Sequence, residues 1–536
     1  MNNIELSELN KKFLVFKNNK YYLPQNSYEK IYSIVDDDSF EEYDKNIKPI
    51  DFLNFTDTKP YSQRIIEASN KTNINDAFIG GYATIGKEPV IIGSLDFRFL
   101  GGSLGSVMGE KIIRLCNYSV EKNIPLILIT ASGGARMQEG LISLMQMAKT
   151  SVGINKLKEN NIPYIVILNH PTTGGVSASF AFQGDILISE PDTMIGFAGP
   201  RVIEQTIKEK LPEGFQISDT ILKQGMLDMV IQGNEIRGYL FNIIKILMFS
   251  KNNKLLDHII PPEIPQDDKI RTIPEEIDYK VVRDFQRPRT RDYINNLIEG
   301  FIELHGDRRF GDDQAILSGI GYFQGIPVVV MGHEKGKTLE EMKKCNFGMP
   351  NPEGFRKVQR LMELAERFKL PIITFVDTTG AYPGIGAEER GQSEAISSSL
   401  LKMAGLKVPI ITINIGEGGS GGALGIAMGN KVGMLRSSIY SVISPEGCAA
   451  ILFKDVSFAD TAAKALKISA LDCYNLKIID QIIEDGIEGR KIDFVYTLNN
   501  MRKFIYDSLC ELLLMSGNEL VLHRYNKFKS LGFFTE

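Results

Sequence analysis

Four short, nearly continuous apolar runs, each opened by proline, punctuate the chain: Pro125-Leu126-Ile127-Leu128-Ile129, Pro163-Tyr164-Ile165-Val166-Ile167-Leu168, Pro371-Ile372-Ile373-Thr374-Phe375-Val376 and Pro409-Ile410-Ile411-Thr412-Ile413. Consecutive branched residues of this kind predict strands buried on both faces, as parallel sheets require. Each run ends in a turn of small residues, and apolar positions then fall at helical spacing, as at Met137, Leu141, Leu144, Met145 and Ala148. The unit is strand, small-residue turn, helix, and its recurrence predicts α/β domains with substantial parallel sheet.

The turns themselves recur. Ser132-Gly133-Gly134-Ala135-Arg136 and Thr172-Thr173-Gly174-Gly175-Val176-Ser177-Ala178-Ser179 lie in the first half; Thr379-Gly380-Ala381-Tyr382 and Gly418-Gly419-Ser420-Gly421-Gly422-Ala423 lie in the second. Pairing Gly133 with Gly380 and Gly174 with Gly421 gives an offset of 247 both times, so each half holds its turns 41 residues apart. The same offset carries Pro200 onto Gly447, and upstream Lys87-Glu88-Pro89-Val90-Ile91-Ile92-Gly93 resembles Gly325-Ile326-Pro327-Val328-Val329-Val330-Met331-Gly332. A chain of 536 residues exceeds one ordinary core, which agrees with two domains. The proline-rich, charged stretch Ile259-Ile260-Pro261-Pro262-Glu263-Ile264-Pro265-Gln266-Asp267-Asp268-Lys269 reads as an exposed linker between them. Residues 1–50, without clear periodicity, read as an accessory segment.

Composition narrows the function classes. With 43% hydrophobic and 24% charged residues and a mean hydropathy of −0.08, the chain reads as a soluble globular protein. No apolar stretch approaches the ~20 residues of a membrane span, and the start lacks the pattern of a signal peptide, so a cytoplasmic location without membrane contact is expected. The five cysteines contain no C-x-x-C pair and the five histidines show no ligand spacing; no metal is expected, and His333, which follows a strand, is the one histidine to watch. A net charge of −5 gives no general reason to bind nucleic acid.

A glycine pair between a buried strand and a helix leaves backbone N–H groups unpaired at the helix start, where the helix dipole also favours negative charge. Two such turns together can hold one developing oxyanion. An isolated Gly-Gly is more often a tight turn that only packs helix on sheet; four in duplicated register favour one oxyanion hole per half. The candidates are Gly133, Gly134, Gly174 and Gly175 in the first half and Gly380, Ala381, Gly421 and Gly422 in the second. No phosphate-binding G-x-x-x-x-G-K-[ST] is present. Gly418-Gly419-Ser420-Gly421-Gly422 matches the G-x-S-x-G elbow of serine hydrolases, but the repeat aligns Ser420 with Thr173, which leaves a nucleophile in one half only. Arg136, Glu139, Glu388, Glu389 and Arg390 follow the turns, where they could meet a ligand or complement helix dipoles. Lys335 and Lys337 read as a solvated loop.

These stretches resemble the carboxyltransferase component of bacterial acetyl-CoA carboxylase, a member of the crotonase-like superfamily. The first half is similar to its β subunit through Thr130-Ala131-Ser132-Gly133-Gly134-Ala135-Arg136-Met137-Gln138-Glu139, the turn at 171–179, and Gly196-Phe197-Ala198-Gly199-Pro200-Arg201-Val202-Ile203-Glu204-Gln205. The second is similar to the α subunit through Arg287-Pro288, Asn346-Phe347-Gly348-Met349-Pro350, Gly380-Ala381-Tyr382-Pro383-Gly384, Ala387-Glu388-Glu389-Arg390-Gly391-Gln392-Ser393, Gly416-Glu417-Gly418-Gly419-Ser420-Gly421-Gly422 and Ser441-Val442-Ile443-Ser444-Pro445-Glu446-Gly447.

The resemblance implies an α/β fold of two tandem crotonase-like (ββα spiral) domains related by an internal repeat: an accessory segment over 1–50, a β-like domain over 51–256, a linker over 257–285 and an α-like domain over 286–536. It implies transfer of a carboxyl group from carboxybiotin to acetyl-CoA, giving malonyl-CoA for fatty acid synthesis. Gly133, Gly134, Gly174 and Gly175 would hold the acyl-CoA oxyanion, and Gly380, Ala381, Gly421 and Gly422 the ureido oxygen of carboxybiotin. The implied partners are a biotin carboxyl carrier protein and a biotin carboxylase on separate chains, and the implied assembly is a homodimer or higher homo-oligomer. Many β subunits begin with a four-cysteine zinc ribbon; residues 1–50 contain no cysteine, so no zinc is expected here. A propionyl-CoA carboxyltransferase, a biotin-dependent decarboxylase subunit and an inactive carrier-binding scaffold are the rival readings.

Overall fold

The computed structural model describes residues 13–265, 269, 271 and 278–535; the start of the accessory segment (1–12) and part of the linker (266–268, 270 and 272–277) lie outside the described residues. The chain divides into two compact units, Met1–Met248 and Phe249–Glu536, each built on its own sheet.

In the first unit a short antiparallel hairpin, β1 (Val15–Lys17) and β2 (Lys20–Tyr22), accompanies a seven-stranded sheet. In sheet order its strands are β3 (Glu41–Glu42), β4 (Phe78–Ile85), β5 (Glu88–Leu95), β6 (Leu126–Ser132), β7 (Tyr164–Thr172), β8 (Ile186–Ser189) and β9 (Met229–Val230). The first three run antiparallel, and β5 through β9 run parallel. The second unit repeats this plan with β10 (Glu299–Glu303), β11 (Ile316–Phe323), β12 (Ile326–His333), β13 (Ile372–Thr378), β14 (Ile410–Gly419), β15 (Lys431–Leu435) and β17 (Gln481–Ile483) in sheet order, while β16 (Ile439–Ser441) pairs beside the end of β14. Here too an antiparallel start, β10-β11-β12, passes into parallel strands.

The apolar runs of the sequence are the central strands. Every residue of β6 and β13 is buried, which a two-sided cover of helices demands of a parallel strand. In the second unit Met501, Phe504, Ile505 and Leu509, from the helix Phe494–Leu512, join Ile373, Phe375, Ile411 and Ile413 in one core cluster. The helix Pro352–Phe368 packs against β11 and β12; proline opens it and Lys369, in the left-handed region, closes it.

The helix anticipated after the first turn is present at Gly140–Glu159, but its apolar stripe turns outward: Leu141 is 69% exposed, whereas Ser143, Gln146, Thr150 and Gly153 are buried. Helical spacing identified the element and not the side that faces the unit's own core.

The backbone corrects the repeat register by one residue. Leu126 pairs with Tyr164 and Ile372 with Ile410, an offset of 246 rather than 247. Gly134 and Gly380 therefore correspond: both have positive φ (119° and 154°), and each N–H donates to the hydroxyl two residues back, Ser132 Oγ at 3.0 Å and Thr378 Oγ1 at 3.1 Å. Gly174 corresponds to Ser420, with φ of 63° and 54°. Adjacent glycines made the sequence alignment ambiguous by one step, and backbone conformation resolves it. Ile91 and Val329, paired with Leu126 and Ile372, lie 238 apart, so the second unit has eight additional residues between β12 and β13.

Candidate active site

Each unit brings its two small-residue turns into contact at the C-terminal ends of its central parallel strands, where helix starts and strand ends meet in α/β folds. In the first unit the turn after β6 meets the start of the helix Gly174–Ser177. A Cβ added to Gly174 would lie 2.8 Å from Gly134 Cα, so the approach is possible only without a side chain, and φ of 63° independently favours glycine. In the second unit a Cβ on Gly422, in the helix Ser420–Leu424, would collide with the backbone of Gly380 and Ala381.

The donors within these turns divide into two sets. Gly133 N–H donates to Gly101 O (2.9 Å), Gly134 N–H to Ser132 Oγ, Gly174 N–H to Phe197 O (2.8 Å) and Gly380 N–H to Thr378 Oγ1, so these four groups hold the turns together. Ala135 and Ala381 N–H have no acceptor among the described residues, and Gly175 and Gly421 occupy first helical turns, whose N–H groups lack intrahelical partners. With the offset of 246, Ala135 matches Ala381 and Gly175 matches Gly421. Ala135 carries no sequence signal of its own; only its place beside a committed glycine marks it.

In the first unit the residues after the turn form a buried polar knot. Arg136, 1% exposed, meets Asp76 Oδ2 at 2.6 Å and Glu139 Oε1 at 3.4 Å, and also bonds Ser103. Glu139 accepts from Tyr61 OH (2.7 Å) and from Ser106 N–H and Oγ (2.6 Å each). These two side chains are interior supports of the turn. In the second unit Glu388 and Glu389 are exposed, while Arg390 reaches back to Glu353 (2.5 Å).

Lys335 departs from its reading as a solvated loop: it is 7% exposed, and its Nζ lies 2.7 Å from Asp377 Oδ1 and 2.6 Å from Glu417 Oε2. Lys337, in contrast, is at the surface, paired with Asp292 at 2.7 Å. Glu417 also meets Arg283 (2.9 Å), which continues to Glu446 (2.8 Å). Burial alone would raise the Asp377 carboxyl, but Lys335 and Arg289 beside it hold it below the ordinary carboxylate range. His333, fully buried near this cluster, is pushed by burial down to about 4, with Asp377 opposing the shift.

The remaining motifs of this half converge as scaffold. Tyr382 N–H donates to Pro350 O (3.0 Å), and Gln392 Nε2 bridges Pro350 O (2.8 Å) and Tyr382 O (3.0 Å). Arg287, 4% exposed, bonds Ile415 O on β14 and Ser437 Oγ. Among the described residues no group of three or more His, Cys, Asp or Glu side chains is arranged to hold a metal ion, and no helix is long and apolar enough to cross a membrane.

Comparison with known proteins adds independent findings. A family model described as acetyl co-enzyme A carboxylase carboxyltransferase-like matches residues 267–532. The chain is 47% identical over 525 residues to the acetyl-coenzyme A carboxylase carboxyl transferase subunits beta/alpha of Natranaerobius thermophilus, spanning 95% of this chain and 86% of that one. It is 43% identical over 510 residues to the protein of the same description from Clostridium tetani, spanning 94% and 87%. Among solved structures it is similar to transcarboxylase 12S, with a TM-score of 0.70, 19% identity and coverage of 91% and 89%. It is also similar to a single-chain, multi-domain long-chain acyl-CoA carboxylase, with a TM-score of 0.68, 19% identity and coverage of 89% and 45%. At that identity the structural likeness speaks for the fold, which is crotonase-like.

Proposed function

Since the chain belongs to the acetyl-CoA carboxylase carboxyltransferases whose β and α subunits are joined in one polypeptide, we propose that its two turn pairs are the two oxyanion holes of that reaction. The protein is a biotin-dependent carboxyltransferase that forms malonyl-CoA from acetyl-CoA. Residues 51–256 make the β-type half and residues 286–536 the α-type half.

In the first half Ala135 and Gly175 N–H donate to the thioester oxygen of acetyl-CoA as negative charge develops on it. In the second, Ala381 and Gly421 N–H donate to the ureido oxygen of carboxybiotin. Gly174 and Gly422 shape these holes by packing without side chains, and Gly133, Gly134 and Gly380 brace them through their N–H groups. When bound, carboxybiotin supplies the carboxyl group and, once that is released, a base for the acetyl methyl proton. The chain therefore needs no side-chain base; its part is to hold two oxygens in fixed donor pairs, and fixed donors of this kind outperform mobile water at a developing charge. The observation that carries this reading is the uncommitted pair Ala135 and Ala381 at matched positions of the repeat.

The carboxybiotin arrives on a separate carrier protein charged by a separate biotin carboxylase, in the cytoplasm. The enzyme works as a homodimer or larger homo-oligomer. Apolar side chains next to each turn support this: Met137 (78%) and Leu141 (69%) in one half and Ile385 (81%) in the other are far more exposed than an apolar surface left in water would favour.

The test is decarboxylation of malonyl-CoA, the reverse direction, with biocytin as carboxyl acceptor, and methylmalonyl-CoA as the competing substrate. Biocytin-dependent release of acetyl-CoA from malonyl-CoA is the expected result. Preference for methylmalonyl-CoA would move the acyl assignment to propionyl-CoA, and folded oligomer without turnover on either substrate would overturn the reading.

A further inference from the structure

The ladder between β13 and β14 is interrupted between Val376 and Thr378, immediately before the turn that carries Ala381. At the interruption the Asp377 side chain folds across to the neighbouring strand, and its Oδ1 accepts the Glu417 N–H at 3.0 Å. Gly416 is small for this reason, since a Cβ there would collide with the Asp377 carboxylate. The detour brings two carboxylates, Asp377 and Glu417, together at the C-terminal ends of adjacent strands, both nearly buried. Such a pair is tolerated only with a cation between them. Lys335 supplies it from a third strand's exit, with Nζ at 2.7 Å from one carboxylate and 2.6 Å from the other. Room for its stem is made by Gly348, where a Cβ would lie 2.6 Å from Lys335 Cγ. The Asn346-Phe347-Gly348-Met349-Pro350 stretch thus makes space for this lysine and, through Pro350, fixes Tyr382.

Asp377 stands four residues before Ala381, and Glu417 four before Gly421. From this geometry we infer that Lys335 is a positioning residue: by clamping Asp377 to Glu417 it sets the spacing between the Ala381 and Gly421 N–H groups. The inference rests on the reading of those two groups as an oxyanion hole. The first unit has no such clamp at the matched positions, which hold Phe97, Ala131 and Pro171. Lys335 therefore serves one hole and leaves the other alone.

The experiment measures biocytin-dependent malonyl-CoA decarboxylation by the full chain, together with malonyl-CoA affinity by calorimetry, for Lys335→Met, Lys335→Arg, Glu417→Gln and the surface control Lys337→Met. A shift of about 1 Å in a reacting group costs on the order of a hundredfold, so Lys335→Met should lower kcat about a hundredfold with malonyl-CoA affinity unchanged. Lys335→Arg, which keeps the charge but not the shape, should return kcat to within about tenfold of the native value. Glu417→Gln removes one charge of the pair without emptying its place, and should cost about tenfold even if Lys335→Met fails to fold. Lys337→Met should match the native enzyme. Native kcat together with native malonyl-CoA affinity in folded Lys335→Met, or equal losses in the methionine and arginine variants, overturns the clamp. A lysine variant that loses malonyl-CoA affinity instead of biocytin-dependent turnover would keep the clamp and reverse the assignment of holes to substrates.

Discussion

The two units trace the same backbone through their turns and support it by different physical means. Beneath the first turn the sheet interruption, between Thr130 and Ser132, is neutral: Thr130 and Thr172 share a hydroxyl hydrogen bond of 2.8 Å, and buried charge lies apart from it, at Asp96 after β5 and at Arg136 beyond the turn. Beneath the second, the interruption itself is charged, with Lys335, Asp377 and Glu417 within ion-pair distance. A duplicated fold can thus retain donor geometry while exchanging Phe97, Ala131 and Pro171 for an ion cluster; each half also keeps a buried hydroxyl pair, Thr130 with Thr172 and Thr374 with Thr412. The exchange alters what each half is sensitive to: uncharged side chains are indifferent to pH near neutrality, whereas a buried cluster fails if one member is removed.

The largest effect should come from the charge of the first unit. Arg136→Met takes the cation away from the buried carboxylates of Asp76 and Glu139, and removing one member of a buried pair costs about 3–5 kcal/mol. Urea unfolding read segment by segment through hydrogen exchange should show residues 61–139 opening at lower denaturant, with the second sheet unchanged. A loss shared equally by both sheets would mean that the units do not differ in this way. Next comes a steric contrast inside the second turn. Gly422→Ala drives a methyl into Gly380 and Ala381, and displacing a hole donor should lower kcat about a hundredfold to a thousandfold. Gly421→Ala meets only Ile396 Cγ2 at 3.9 Å, and its kcat should stay within about threefold. Equal losses in steady-state assays would show that the close approach at Gly422 is not what shapes the hole.

The halves should also answer pH in opposite directions. In the first unit burial pushes Glu190 up to about 7, against the Leu23 N–H, Lys30 and Asn169 that favour its charge. Its ordinary value is 4.5, so its contribution to stability is complete below that and is lost as pH rises through 7. In the second unit burial brings His333 from 6.5 down to about 4; its contribution is present above 6.5 and lost as pH falls through 4. Relative to the native chain, Glu190→Gln should therefore gain stability from pH 4.5 to 7, and His333→Leu should gain it from pH 6.5 to 4. Each gain should be on the order of 3 kcal/mol at most. Denaturant midpoints measured across pH for the three proteins check both signs, and matching slopes would erase the contrast.

Much of this architecture was legible in the sequence because its signals are local. Runs such as Pro371-Ile372-Ile373-Thr374-Phe375-Val376 state both strand and double burial, and glycine pairs mark where a turn excludes side chains. What escaped has long-range causes. Lys335 reads as a solvated loop because nothing near it announces Asp377 and Glu417, 42 and 82 residues onward; only the parallel sheet brings them together. Ala135 and Ala381 are ordinary residues whose importance lies in an N–H left over when neighbouring glycines are committed. The outward stripe at Leu141 and the one-residue register error share a cause: periodicity and glycine pairs fix an element's type before they fix its orientation or its phase.

The register correction supplies the smallest and most discriminating prediction. Ser420 occupies the place that Gly174 holds in the first unit, with φ of 54° where an L-residue is strained by about 1–2 kcal/mol. Ser420→Gly relieves that strain but costs about 0.5–1 kcal/mol in chain entropy, so the variant should match the native chain or be more stable by up to about 1.5 kcal/mol. Its kcat should be native, because Ala381 and Gly421 N–H are untouched. In a hydrolase elbow the strained serine is kept for its hydroxyl, and the same substitution would abolish turnover. Loss of malonyl-CoA decarboxylation by Ser420→Gly, with folding intact, would therefore give the hydroxyl a part in the chemistry that the first half cannot duplicate. Native turnover would mean that both halves reach one backbone geometry, the first with glycine at no strain and the second with serine at a small and tolerated one.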